Sequence, residues 1–269
     1  MKYKLLGVLL TVAVCAASAL AAFADGPNPQ PVSKPSAREL ARGDKKAAET
    51  DHMLRMFDRY LEGKASYEAL EKVVQKYNDT WAEGAPAKDT IEKLETSDPY
   101  LGLTAVHQQR DYWCGPASAY MLLAYKGVAH YPGNPDRVLN QENLADDLDT
   151  TEDGTDLNNM PTVINNWRSS QFYVIKWAPT TGQVMDYTRS DYVYNYPVIY
   201  DAHMCSSYGY LAGWSTETWH YVTGDGYNDG SQEVHYYDPW GADGSATYGA
   251  HWIAASTVSS VLRELGMVW

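Results

Sequence analysis

"DYWCGPASAYMLL", residues 111–123, is the stretch on which the fold turns. Cys114 is followed by Gly115 and Pro116, and then by Ala117 to Leu123, which have the composition of a helix opening. Pro116 falls in the first turn, where a missing N–H costs nothing. A thiol at that point meets unsatisfied backbone N–H groups and the positive end of the helix dipole, both of which favour thiolate over thiol. Three fates are open to Cys114: half of a disulfide, a small buried hydrophobe, or a nucleophile.

The ends of the chain narrow the choice. Met1-Lys2-Tyr3-Lys4 is basic, Leu5 to Ala22 is apolar, and two small-x-small sites follow, Ala19-Leu20-Ala21 and Ala22-Phe23-Ala24. Residues 1–24 therefore read as a secretory signal peptide cleaved near Ala21 or Ala24, and the mature protein is expected to be secreted or periplasmic. Cys15 lies inside the apolar run behind bulky Val14, which argues against a lipoprotein anchor. No other segment reaches the roughly 20 apolar residues of a membrane span, so no membrane anchor is expected. Cys114 and Cys205 remain after cleavage, and two cysteines in an exported chain suggest one disulfide.

Composition excludes some partners. The 269 residues carry a net charge of −13; without Lys2 and Lys4 there are 19 basic residues against 34 acidic, a balance of −15. Such a surface argues against nucleic acid or anionic membrane. The 22 Tyr and 9 Trp against 3 Phe suit a β-rich domain with a wet groove, and also an ordinary core and sheet surface.

Along the chain, "DGPNPQPVSKPS" (25–36) is a proline-rich linker. Residues 37–97 are helical in pattern. Leu54, Phe57, Tyr60 and Leu61 share one face; Leu70, Val73, Val74, Tyr77 and Trp81 form a second stripe behind an N-cap at Ser66; Ile91 and Leu94 mark a third. From 98 to 269 the pattern predicts the Cys114 helix, short helices at 141–148 and from Asn158 or Asn159, and then strands. These are "QFYVIKWA" (171–178), "YPVIYDA" (196–202), "TWHYVTGDGY" (218–227) and "EVHYYDPW" (233–240), the last two joined by "YNDG" (227–230). A last amphipathic helix spans 257–265. Helices followed by a mostly antiparallel sheet make an α+β fold.

A nucleophilic cysteine needs a base and a group that orients it. His220 and Asp238 lie on the two strands of the hairpin, with parity that lets them face one side. Asp238 can fix the imidazole tautomer and leave the other nitrogen for Cys114. His235 has the opposite parity from Asp238. His203 and His251 lie in the same region, and a zinc site of Cys205, His203 and His220 lacks a fourth ligand. Asp238 before Pro239 is also ordinary turn chemistry. "DTTEDGTDLNNM" (149–160) resembles a calcium loop in Asp149, Asp153 and Gly154. It has Thr151 and Met160 where ligands belong, and reads as an acidic turn.

Gln108 stands six residues before Cys114, giving Gln-x5-Cys-Gly-Pro-Ala. Downstream come Trp219-His220-Tyr221-Val222-x-Gly224 and Tyr237-Asp238-Pro239-Trp240. In this order, with "YPVIY" before the histidine, the motifs resemble the stand-alone relatives of the bacteriocin-processing (double-glycine leader) cysteine peptidases, a papain-like family. The resemblance covers Val106 to Trp240, about half the chain. It implies a papain-like α+β domain in which a nucleophile-bearing helix packs on a mostly antiparallel sheet. It further implies a Cys114–His220–Asp238 triad, with Gln108 as oxyanion donor and Gln109 as the neighbouring alternative. The expected activity is a cysteine peptidase acting on peptide or protein substrates as a monomer, without a cofactor or metal.

The leader-cutting relatives are usually fused to membrane exporters, so their leader specificity is not implied here. The helical segment at 37–97 lies outside the resemblance and is a prosegment or a permanent subdomain. Two alternatives stay open: a cell-wall peptide amidase or acyltransferase on the same triad, and a non-catalytic peptide- or glycan-binding module on the same scaffold.

Overall fold

Serine caps open the first two helices. Ser36 Oγ accepts from the Glu39 N–H and Ser66 Oγ from the Ala69 N–H, each at 3.2 Å, setting the starts of α1 (Ala37–Leu61) and α2 (Tyr67–Trp81). With α3 (Ala87–Leu94) they form the expected helical segment. This computed structural model describes residues 33–82, 85–94 and 100–269. The signal peptide, most of the proline-rich linker and the boundary at 97/98 lie outside the described residues. Leu54 and Phe57 are buried as the periodicity predicts, but Leu61 is 59% exposed. It ends α1, where the chain turns back toward α2 and leaves nothing to cover it.

The remaining elements run α4 (Cys114–Tyr125), β1 (His130–Tyr131), β2 (Asn134–Val138), α5 (Gln141–Asp147), α6 (Asn159–Arg168), β3 (Ile175–Trp177), α7 (Thr181–Val193), β4 (Val198–Met204), β5 (Thr218–Asn228), β6 (Glu233–Asp238), β7 (Gly249–Ala254), α8 (Ala255–Val261) and β8 (Gly266–Val268). Six strands form one sheet in the order β3-β8-β4-β5-β6-β7, every neighbouring pair antiparallel. The α4 helix is apolar on nearly all sides because it is buried against this sheet. Thr223 on β5 donates its hydroxyl to the Ser118 carbonyl of α4 (3.1 Å). This is the expected α+β architecture, with the Cys114 helix packed on an antiparallel sheet.

Several sequence expectations shift. Residues 181–193, between the expected strands 171–178 and 196–202, form a helix that the pattern did not predict; Thr180 and Gln183 close a capping box at its start. Only Ile175–Trp177 of the 171–178 run pairs as a strand. The β5–β6 turn occupies 229–232 rather than 227–230, with Gln232 left-handed at φ 57°. The last helix ends at Val261 and the chain returns as β8 between β3 and β4. Asn158 precedes α6 without capping it; its amide turns back to Ser33 and Asp156.

The helical segment shares one hydrophobic core with the sheet domain. Gly43 of α1 lies against the Ile175 carbonyl so closely that a Cβ there would sit on the oxygen. Lys46, fully buried, places its ammonium 3.5 Å from the Phe172 ring centre, 4.3 Å from that of Trp269 and 3.5 Å from Asp191 Oδ1. Tyr194 donates its hydroxyl to Asn78 of α2 (2.6 Å).

Candidate active site

Helix α4 begins at Cys114 with no side-chain cap and no acidic residue in its first turn. The positive end of the helix is thus left to whatever charge develops at Cys114. Gly115 allows this end to press against the 150–160 turn: a Cβ there would lie 2.4 Å from Thr155 Oγ1 and 3.0 Å from the Met160 methyl. Cys114 and Cys205 are both buried and carry thiols, not a disulfide.

The hairpin register does what the parity predicts. Thr223 pairs with Tyr237 and Gly224 with Tyr236, so the next position sets Asp238 opposite Val222 and diagonal to His220. His220 Nε2 lies 2.7 Å from Asp238 Oδ1. Asp238 is satisfied on both oxygens, Oδ1 also accepting the Trp240 N–H (2.8 Å) and Oδ2 the Trp214 indole N–H (2.8 Å). Nδ1 of His220 is buried with no nitrogen or oxygen partner, and the ring is in side-chain hydrogen-bonding contact with the Cys114 thiol. Burial by itself lowers the proton affinity of His220. The Asp238 charge and hydrogen bond, with Cys114, outweigh that and raise its pKa to about 10.

The rival histidines are committed elsewhere. His235 Nδ1 pairs with Asp225 (2.5 Å), His251 with the Thr247 carbonyl (2.7 Å), and His203 with Glu217 (3.3 Å). His203 pairs with Trp219 across β4–β5, one position out of phase with His220, so the two histidines project to opposite faces.

Gln108 is brought beside the pair: its N–H donates to the Pro239 carbonyl (3.1 Å). Its carboxamide N–H groups donate to Arg110 (2.8 Å) and Asp111 (2.9 Å), carbonyls of the loop entering α4, while its Oε1 is buried without a partner. Gln109 is exposed and lines, with Gln108, a cleft of about 280 Å³ between residues 108–111 and 239–241.

Three residues here escaped the sequence. Trp214 supplies the third donor to Asp238. Gln141, at the start of α5, clamps the Gln108 loop by accepting from the Gln109 N–H (3.0 Å) and donating to the His107 carbonyl (2.8 Å). Asp201 is a buried carboxyl on β4, which burial pushes well above the usual carboxylate range. Only Gln141 had a sequence signal, a polar residue opening a helix behind Asn140.

A model of the Peptidase_C39 like family matches residues 100–260. Among solved structures the chain is similar to a double glycine motif protease from an AMS/PCAT transporter in complex with the leader peptide. Identity there is 16% and TM-score 0.39, over 64% of this chain and 96% of that one. It is also similar to Xylellain, a cysteine protease from Xylella fastidiosa, at 11% identity and TM-score 0.37, over 66% and 87%. No curated protein matches. The family match spans more than half of the residues, from the loop that leads to Cys114 through His220 and Asp238, and on that ground this chain belongs to the Peptidase_C39 like family.

Proposed function

We propose that the protein is an exported thiol-dependent hydrolase, a cysteine peptidase acting on peptide or protein substrates. The observation that carries this reading is a single imidazole shared between a buried carboxylate at Nε2 and the Cys114 thiol at a helix N-terminus. His220 takes the thiol proton on Nδ1 and Sγ attacks the substrate carbonyl carbon. The oxyanion is held by the Cys114 backbone N–H and by Gln108, once its carboxamide leaves the Arg110 and Asp111 carbonyls. The imidazolium returns its proton to the leaving amine. Water, deprotonated by the same nitrogen, then attacks the thioester and releases acid and thiol.

The test is the intact mass of the mature protein, without reductant, before and after brief iodoacetamide at neutral pH, repeated with His220→Ala. Fast single labelling at Cys114 that slows in the variant supports the reading. Labelling no faster than an ordinary thiol, in both proteins, overturns it. Release of fragments from casein or from peptidoglycan then separates a peptidase from a cell-wall amidase, and capture by added amines reveals acyl transfer.

One observation favours the binding-module alternative: Cys114 is only 1% exposed and both donors of Gln108 are engaged. If Cys114→Ala retains full biological activity, that alternative is the better account.

A further inference from the structure

We infer that Trp214 is a positioning residue for the Cys114–His220 pair, acting through Asp238. The inference rests on the reactive-thiol reading of the site and adds to it a residue from a different part of the chain.

A carboxylate can swing about its Cα–Cβ–Cγ axis, so one hydrogen bond to His220 does not define where the ring points. Three donors do. The Trp240 N–H and His220 Nε2 converge on Oδ1, and the Trp214 indole N–H holds Oδ2 at 2.8 Å. Asp238 is fully buried. Without Trp214, Oδ2 has no donor among the described residues that bond Asp238, and a buried carboxylate oxygen left bare is costly. The same indole packs over the imidazole, with ring centres 5.0 Å apart and planes at 49°. One side chain therefore fixes the carboxylate and limits the tilt of the ring that the carboxylate orients.

The loop that brings Trp214 is built to hold it there. Gly213 adopts φ 78°, and a Cβ at that position would lie 2.3 Å from the Ala246 carbonyl, so the loop lies directly on the 240–248 segment. The Ala212 N–H donates to the Tyr236 hydroxyl (2.9 Å), and the Trp214 N–H closes a turn onto the Leu211 carbonyl (3.1 Å). Leu211 is buried in the core. Backbone, core and neighbouring loop all pin the residue before Trp214 meets Asp238.

The experiment separates the N–H from the ring. Trp214→Phe keeps an aromatic plane over His220 and removes only the donor. The readout is the rate of iodoacetamide alkylation at Cys114, located by peptide mass, across pH 5 to 10, with thermal melting beside it. Trp214→Phe is expected to slow labelling at pH 7 about tenfold, the size of one hydrogen bond to a charged group. The pH of half-maximal rate should move upward. In an Asp238→Ala background the same substitution is expected to change nothing further, because the N–H then has no carboxylate to hold.

Wild-type rate and profile in Trp214→Phe would overturn the inference, as would an equal slowing in Asp238→Ala. Should Asp238→Ala not fold, the comparison of Trp214→Phe with Trp214→Ala decides. Equal loss in both assigns the effect to the N–H, and loss in Ala alone overturns the inference. Slow labelling of the wild type, unaffected by His220→Ala, would instead remove the reactive-thiol reading on which it rests.

Discussion

His220 Nε2 sits 2.7 Å from Asp238 Oδ1, two fully buried side chains set diagonally across the β5–β6 pair. Asp238 and Cys114 raise His220 to about 10 against the burial that opposes them. A raised histidine contributes stability that is fully present below its unfolded value near 6.5 and is lost as pH rises through the folded value. Urea unfolding from pH 6 to pH 10 should therefore show stability declining by a few kcal/mol relative to Asp238→Ala, at about 1.4 kcal/mol per pKa unit. A wild-type profile parallel to that of Asp238→Ala would contradict the pairing.

Gly115→Ala should separate helix placement from helix formation. Alanine is a better helix former, yet its Cβ would press on Thr155 and Met160. About 1–3 kcal/mol of destabilisation is expected from the overlap. Labelling of Cys114 should slow as the N-terminus of α4 is pushed from His220. A variant more stable than wild type would show that the 150–160 turn yields freely.

Gln141→Ala leaves the Gln109 N–H and the His107 carbonyl without their partner. Stability should fall by about 1–3 kcal/mol. Peptide turnover should drop while iodoacetamide labelling of Cys114 stays near wild type, since thiol activation runs through His220 and not through the Gln108 loop. Equal losses in both assays would mean that the loop also supports the pair.

Lys46 and Asp191 test whether the helical segment is a permanent part of the folded protein. Burial pushes Lys46 down to about 7 and Asp191 up to about 7. Lys46→Met strands the carboxyl, at a cost of about 3–5 kcal/mol. A raised Asp binds its proton in the folded state, so the penalty should be smaller at pH 5 than at pH 8. Lys46→Met with Asp191→Asn should recover most of the loss. We propose on the same contacts that residues 33–94 are retained, and that a fragment starting at Tyr100 does not fold. Intact mass of the protein recovered after expression of the full sequence and circular dichroism of the fragment check both, and a folded, active fragment would favour a removable prosegment.

Helix α7 shows where local pattern fails. Its "DYTRSDYV" is rich in tyrosine and β-branched residues, which favour strands in isolation. Its buried positions, Val184, Met185, Tyr187, Thr188, Ser190, Asp191 and Val193, run all the way around the helix because α1, α3, α8 and the sheet surround it, so no single stripe marks it. The Thr180–Gln183 capping box was the one legible signal. The three N-terminal helices were readable for the opposite reason: each buries one face and exposes the other.

From the sequence alone came the Cys114 helix, the β5–β6 hairpin and the parity that lets His220 meet Asp238, because local turn chemistry and strand alternation act over a few residues. Whether the two cysteines join, which histidine reaches the thiol, and which donor holds the second oxygen of Asp238 were decided by the tertiary structure. Trp214 is 24 residues from Asp238 along the chain, and Gln141 is 32 from Gln109. Such contacts exist only once the core has closed around them, and no period in the sequence records them.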